Sequence, residues 1–346
     1  MCMKKIVLGI LIVVLFQAER VWGGETLKAV QERGYLRCGV GIDDFGFATR
    51  SRDGKWKGFD VDFCRAIAAA VLKDVEAVQY IPLDSQGRFK ALANKEVDVI
   101  IRTATWTFQR DVSLGLSFTG VTLYDEQRLL INKYVKGKKT VAIEHAAELD
   151  KATVCVTKGT TSLENIKDYI QQNNLSFEIL ETESQAGRWH AFLRGRCQLM
   201  TSEVTDLLGG LTGLLDDPNG YHLLSDVISR EPLGPYVRDD DPNWFDVVRW
   251  SSQVPILAEY LGLSSQNVTD TNTRLSPEAK RLLNTPEAWL DSLGLDAKWA
   301  FRIIRDVGNY EELYRQNLKE VSIEGAERGV NELWTNGGLH QPAPFR

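Results

Sequence analysis

The sequence predicts an α/β fold built from more than one unit, and three observations carry that prediction. Short apolar strands alternate with helical stretches through the first half of the chain, and the same order restarts in the middle. A length of 346 residues suits about two domains. With 43% apolar and 25% charged residues the composition is globular, which excludes disorder, collagen-like repeats and coiled coil. The net charge of -6 is spread without long runs, and no Lys/Arg cluster forms the basic face of a nucleic-acid binder.

The first unit begins with a strand at Leu36–Val40, followed by a helix opened by Gly58-Phe59-Asp60. Phe63, Ala66, Ile67, Ala70 and Val71 fall on one face of that helix. Val78–Pro82 is a second strand, Arg88–Leu92 a short helix stopped at Asn94-Lys95, and Val97–Ile101 a third strand. The third strand is wholly apolar, as a strand covered on both faces should be. The second unit, with edges near residues 124 and 235, has strands at Leu129–Ile131, Thr153–Val156 and Cys197–Thr201. Helices are expected from Thr161, whose spacing to Glu164 suits a capping box, and over Gln185–Leu193. The last third is helical, at Trp244–Leu261 with Pro255 kinking it or breaking its ladder, and at Trp299–Leu318 with an interruption at Gly308-Asn309. These helices are expected to pack back on the first unit, and the tail from Gly337 is read as irregular.

The first 23 residues read as a segment removed before folding. Lys4 and Lys5 precede an apolar run from Ile6 to Phe16, which as a helix would rise only about 16 Å against a hydrocarbon core of ~30 Å. That is the layout of a secretory signal peptide, with Val21 and Gly23 placing cleavage after Gly23. The alternative is a membrane anchor, and no Cys follows the run to make a lipoprotein. Cleavage removes three basic residues and one acidic residue, so the exported chain becomes more acidic. It also removes Cys2, leaving Cys38, Cys64, Cys155 and Cys197. An exported chain favours bridges, and separation along the sequence favours Cys38–Cys64 and Cys155–Cys197 over the other connectivities; the alternative is four buried thiols.

Several chemistries lack their residues. His145, His190, His222 and His340 sit in unrelated contexts, with no His-x-x-x-His or Cys-x-x-Cys pair, so no metal or other cofactor is implied. No nucleophile elbow, phosphate loop or dinucleotide fingerprint occurs. What stands out is polar residues just past strand ends, where open α/β sheets bind ligands. Thr103, Thr105 and Arg110 follow one strand, and an arginine fork suits a carboxylate, although Arg110 could equally pair with Asp111. Gly159-Thr160-Thr161 precedes a helix N-terminus, which favours an anion, and Glu203 follows a strand where a carboxylate could receive an ammonium group. Together the set is complementary to a free amino acid.

At these residues a family resemblance becomes specific. Gly-Phe-Asp-Val-Asp-Phe-Cys (58–64), Arg88-Phe89-x-Ala91-Leu92, Glu96-Val97-Asp98-Val99 and the Thr-Trp-Thr-x-x-Arg-Asp stretch ending at Asp111 resemble polar-amino-acid periplasmic binding proteins. Glu-Pro-Leu-Gly-Pro (231–235), Trp-Phe-Asp-Val-Val-Arg-Trp (244–250) and Val-Gly-Asn-Tyr (307–310) narrow this to the general L-amino-acid-binding type that serves an ABC importer. The resemblance covers essentially the whole exported chain.

The resemblance implies a two-lobed type II periplasmic-binding-protein fold, with residues 24–123 and 236–346 in lobe one and 124–235 in lobe two. It implies that Arg110 holds the ligand α-carboxylate, helped by Thr105, Thr160 and Thr161, and that Glu203 faces the α-ammonium. Phe47 and Trp106 are candidate aromatic contacts, each of which could instead belong to the core. The implied partners are a free L-amino acid and the permease subunits of an ABC transporter, with the receptor periplasmic, monomeric and not an enzyme. The alternatives are a dehydratase on the same scaffold, with Glu203 as general acid, and a sensor for a signalling partner. The chain departs from the family pattern at Glu203 and Gln198, where Asp is common, at Glu126, where Gly is common, and at Thr103-Ala104, where Asn-Thr is common.

Overall fold

The computed structural model describes residues 24–135, 138–139, 143–215, 217–270, 274–321 and 327–346. The expected signal segment lies outside the described residues. No described helix is long and apolar enough to cross a membrane.

Two sheets organise the chain. The first has the strand order Val78–Pro82, Leu36–Val40, Val99–Ile100, Tyr236–Arg238, Leu116–Phe118. Its first three strands are parallel, with Leu36 opposite Val78 and Cys38 opposite Val99. Tyr236–Arg238 is antiparallel to both of its neighbours. The second sheet repeats the plan, with Phe177–Thr182, Ala152–Thr157 and Leu199–Glu203 parallel and then Leu123–Asn132 antiparallel. Tyr221–Leu223 and Ser229–Leu233 both pair with this last strand. Leu123–Asn132 and Ser229–Leu233 are also where the chain passes between the sheets, side by side, with Leu233 opposite Leu123 and Ser229 opposite Gln127.

The helix Phe59–Leu72 packs over the first sheet. Its entry requires glycine at residue 58, where φ is 137° and an added Cβ would fall 2.1 Å from the Phe47 carbonyl oxygen. The late helices Pro242–Tyr260, Trp299–Asp306 and Tyr310–Asn317 close around this helix. The result is one large core in which Phe47, Phe59, Trp244, Trp299 and Tyr310 are almost wholly buried. Pro255 lies buried inside a helix that continues through it to Tyr260, so the proline, which has no N–H to give to the ladder, does not end the helix. The interruption expected at Gly308-Asn309 does occur, with Asn309 capping the second helix through a capping box to Glu312. The irregular tail is anchored: Phe345 is buried among Trp250, Trp289 and Trp299.

The second sheet carries two smaller cores, one on each face. Leu129, Val154, Ile166 and Leu199 belong to one, and Leu130, Trp189, Met200 and Leu207 to the other. Disulfides join Cys38 to Cys64 and Cys155 to Cys197, the pairing expected from the sequence. The first ties strand Leu36–Val40 to helix Phe59–Leu72, and the second ties strand Ala152–Thr157 to the loop ahead of strand Leu199–Glu203.

Two local expectations shift. The strand expected at Leu129–Ile131 extends over Leu123–Asn132, because its polar first half is the crossing segment rather than a buried strand. The cap of helix Thr161–Gln172 is Thr160, whose hydroxyl accepts from Leu163 N, and Glu164 closes no box. Thr161 is thereby left free for another role.

Candidate ligand-binding site

The strand ends of the two sheets face each other across a narrow cavity. From the first sheet, Arg102, Thr103 and Thr105 follow strand Val99–Ile100, and Ser85 and Arg88 follow strand Val78–Pro82. From the second, Thr160 and Thr161 follow strand Ala152–Thr157, and Ser202, Glu203 and Asp206 lie at the end of Leu199–Glu203. Asp44 completes the lining from the loop after the first strand. A wider hollow beside Gly24, Lys95 and Asp240 opens on the outside of the first lobe and lacks opposed strand ends.

The two walls touch. The Thr105 and Thr161 hydroxyls both donate to the Glu231 carboxylate, at 2.5 and 3.2 Å, and lie 3.2 Å from each other. Glu231 also accepts from Asn165 Nδ2 at 2.9 Å and from the Ser229 hydroxyl. It sits on the returning crossing strand, almost wholly buried, and burial pushes its carboxyl above the usual range. Gln86 Nε2 reaches Glu183 at 3.2 Å, and Arg88 Nη2 approaches the Gly159 carbonyl at 3.5 Å. Phe45 lies over helix Val204–Leu214, where a Cβ on Gly213 would fall 2.3 Å from its ring. The cleft is closed.

The walls differ in charge. The first carries Arg88 and Arg102, with Arg110 just behind. Arg102 donates from Nε to Leu83 O at 2.8 Å and from Nη2 to the Ser85 hydroxyl at 3.2 Å. Arg88 donates from Nη1 to Ser85 O. Among the described residues none of the three has an acid within ion-pairing distance, whereas Arg188 on the opposite wall pairs with Asp206. Burial, then repulsion from Arg102 and Arg110, holds the Arg88 guanidinium well below its ordinary value.

Glu203, half-buried at the entry of helix Val204–Leu214, accepts from the Ser202 hydroxyl at 2.8 Å and has no ion-pair partner among the described residues. Asp44 is pushed up to about 8 by burial and the nearby Asp206 carboxylate, against the pull of Arg102. Asp60, the acid of the Gly-Phe-Asp motif, accepts from Thr103 N at 3.1 Å and is raised to about 7 by burial. That contact holds Thr103 at φ 37°, the left-handed region that Asn tolerates better than Thr.

Of the expected site residues, the cavity gathers Thr103, Thr105, Thr160, Thr161 and Glu203. Arg110 stands one layer back. Its Nη1 donates to Thr105 O at 2.9 Å, its guanidinium lies 5.0 Å from the Phe89 ring centre, and burial lowers its pKa. It forms no pair with Asp111, the alternative open from sequence. Phe47 is a core residue, packed edge-on against Phe59, and Trp106 stacks on Phe118 at 5.3 Å with half its surface exposed; neither lines the cavity. Glu126 pairs with Arg128 at 2.5 Å, so its extra charge stays outside the cleft.

Sequence reasoning missed Arg88, Arg102, Asp44, Arg188 and Glu231 as members of the site. Arg102 was findable, being the first residue past an apolar strand. Glu231 sits in a motif, but only the paired crossing strands bring it to Thr105 and Thr161.

Residues 36–318 match the bacterial extracellular solute-binding proteins, family 3. The chain belongs to that family. It is 38% identical to the putative amino-acid ABC transporter-binding protein YhdW of Escherichia coli K12, over 99% of this chain and 100% of that one. It is 38% identical to the general L-amino acid-binding periplasmic protein AapJ of Rhizobium johnstonii, over 93% of each chain. A periplasmic binding protein from Brucella ovis with glutathione bound superposes with a TM-score of 0.87 at 39% identity, covering 93% of this chain and 99% of that one. The two-lobed type II fold implied by the sequence is therefore the fold of the family.

Proposed function

We propose that this chain is the periplasmic receptor of an ABC importer, capturing free L-amino acids by closure of two lobes and presenting them to permease subunits. The observation that carries the reading is the closed cavity, which sets unpaired arginines on one wall opposite Glu203 on the other. The names of the 38%-identical relatives support the same substrate class. The glutathione in the Brucella structure fits as well, since its γ-glutamyl end carries a free α-amino acid group.

In this reading the lobes are residues 24–123 with 236–346, and residues 124–235, and they pivot on the paired crossing strands. The first 23 residues are a signal peptide cleaved after Gly23, and the mature receptor is a monomer. Arg110 turns from Thr105 O to the ligand α-carboxylate, Thr105, Thr160 and Thr161 line the same end, and Glu203 receives the α-ammonium. The protein binds without turnover, a reading that the solute-binding names of its 38%-identical relatives support, and absence of prephenate consumption checks this.

The test is thermal denaturation with a panel of free L-amino acids and glutathione. A binder should raise the melting temperature in a concentration-dependent way, and a panel without any shift refutes the proposal. Arg110→Ala should weaken carboxylate ligands by about 100-fold, the loss of a bidentate charged pair worth ~3 kcal/mol. Arg110→Lys should recover little, because the fork is gone.

A further inference from the structure

Helix Val204–Leu214 carries glycine at 209, 210 and 213, although backbone entropy disfavours glycine inside a helix. The three serve two faces. Gly210 turns inward with Leu207 and Leu211, and a Cβ there would fall 2.0 Å from the Trp189 ring of the same lobe. Gly209 and Gly213 stand one turn apart on another face, against Phe45 of the first lobe. A Cβ on Gly209 would fall 3.0 Å from Phe45 Cβ and 3.1 Å from Phe45 O, and one on Gly213 would fall 2.3 Å from the Phe45 ring. Neither residue has the positive φ that would call for glycine on its own account. The approach of Phe45 is what requires them.

Phe45 is held ready for that seat. It lies in a tight turn where Asp44 N donates to Ala48 O at 2.9 Å, while Phe47 N and Ala48 N donate back to Asp44 O at 3.0 and 2.8 Å. Phe59 N, at the head of the first-lobe helix, donates to Gly46 O at 2.8 Å. The ring therefore projects from fixed backbone, and little freedom is lost when the lobes meet. Unlike its neighbour Asp44, Phe45 is not part of the cavity lining. The helix it meets begins at Glu203 and is tied to the outbound crossing strand by Thr205, whose N–H donates to Asp125 Oδ2 at 3.3 Å. At 1.5 Å per residue the seat lies roughly 9–15 Å along the helix from Glu203. One rigid rod thus carries an acid of the cavity at its start and the Phe45 seat towards its far end.

We propose that Phe45 and the Gly209/Gly213 face form a latch that stabilises the closed receptor without touching the ligand. Phe45 then sets the affinity for every ligand by the same factor and leaves selectivity alone. This rests on the lobe-closure reading and adds to it a positioning residue outside the cavity. A contact made only in the closed state shifts the balance between open and closed forms, and apparent affinity follows that balance. Opening returns the apolar ring and the glycine face to water, which is the driving force that the latch supplies.

The experiment is calorimetric titration of the full-length mature protein with L-glutamine, L-alanine and glutathione. Phe45→Ala should weaken each probe that binds the wild type by about 10-fold, ~1.4 kcal/mol, with the ratios between probes unchanged. Phe45→Leu should restore part of the loss. Gly213→Ala should weaken binding as well, while its ligand-free melting temperature holds or rises, because alanine favours the helix. In the Phe45→Ala background Gly213→Ala should cost nothing further. Unchanged affinity, additive losses or a loss that differs between probes overturns the latch. Phe45→Cys with Gly209→Cys gives a reading that needs no ligand, since the two Cβ atoms stand within the disulfide reach of about 4 Å. Under diamide this pair should cross-link, as peptide mapping would show. A pair that stays reduced overturns the latch whether or not any probe binds. A protein that cross-links but binds no probe supports the latch and overturns the amino-acid reading.

Discussion

The two lobes share a plan but not a weight. In each, three parallel strands with intervening helices lead into an antiparallel strand, and one disulfide holds the central strand. The first lobe has a small cluster around Ile100, Phe118 and Tyr236, and it also receives the helices of the last third of the chain, which enclose Phe59–Leu72 in a large core. The second has only its two thin cores, one per face. The lesson is a division of labour. The heavily packed lobe can hold the buried, unpaired arginines, because its core supplies stability that those charges subtract. The lighter lobe contributes helix caps, hydroxyls and acids that cost less to position.

The largest effect that would test this division is loss of the disulfides. In the chain-entropy account, the Cys155–Cys197 bridge, with a sequence separation of 42, contributes about 4 kcal/mol. The Cys38–Cys64 bridge, with a separation of 26, contributes about 3.5 kcal/mol. Serine pairs at 155 and 197 should split thermal unfolding into two steps, the second lobe melting first, whereas serine pairs at 38 and 64 should lower one joint transition. Equal single transitions in both variants would break the comparison.

A smaller effect is expected from pH. Asp44 and Asp60 in the first lobe and Asp125 on the crossing strand have raised pKa values, about 8, 7 and 7, all led by burial. Between about pH 4 and these values the folded protein keeps protons that the unfolded chain has lost, so stability falls as pH rises, by at most ~1.4 kcal/mol per pH unit for each group. Asp206, Glu203, Asp60 and Arg102 all face Asp44, and Asp44→Asn should flatten the decline between pH 5 and 8 in thermal scans. An unchanged slope would show that Asp44 ionises normally.

Smaller still is the contact at Gly159, where φ is 72° and an added Cβ would sit 3.0 Å from Gln86 Cγ and 3.2 Å from Ser85 O. Gly159→Ala carries ~1 kcal/mol of backbone strain in any state, and crowding in the closed state alone. Calorimetry should show affinity falling by several-fold beyond any change in melting temperature. The smallest effect runs the other way: Thr103→Asn should raise stability by ~0.5–1 kcal/mol in urea titrations by relieving the left-handed backbone.

The fold was legible because its signals are local. Leu36–Val40, Val78–Pro82 and Gln185–Leu193 fall where apolar pattern and turn residues place them. The crossing strand was shortened in the reading, since Leu123–Glu126 carries no apolar run and its pairing partner lies a hundred residues away. The site was legible for the same reason at strand ends, which put Thr105, Thr160 and Glu203 on the cavity. It was not legible where burial decides. Phe47 and Trp106 look alike as aromatic residues, but one fills the core and the other stacks outside. Arg88 reads as one more helix arginine until the approach of the second lobe at Gly159 encloses it.

Asn331 gives the architecture a consequence in time. Its side chain accepts from Tyr124 N and donates to Tyr124 O, both at 2.8 Å, clasping the backbone where the chain first leaves for the second sheet. A ribosome or secretion channel releases residue 124 long before residue 331. The outbound crossing therefore waits, without this clasp, until nearly the whole polypeptide has emerged, and the junction between the two sheets is among the last parts of it to be finished.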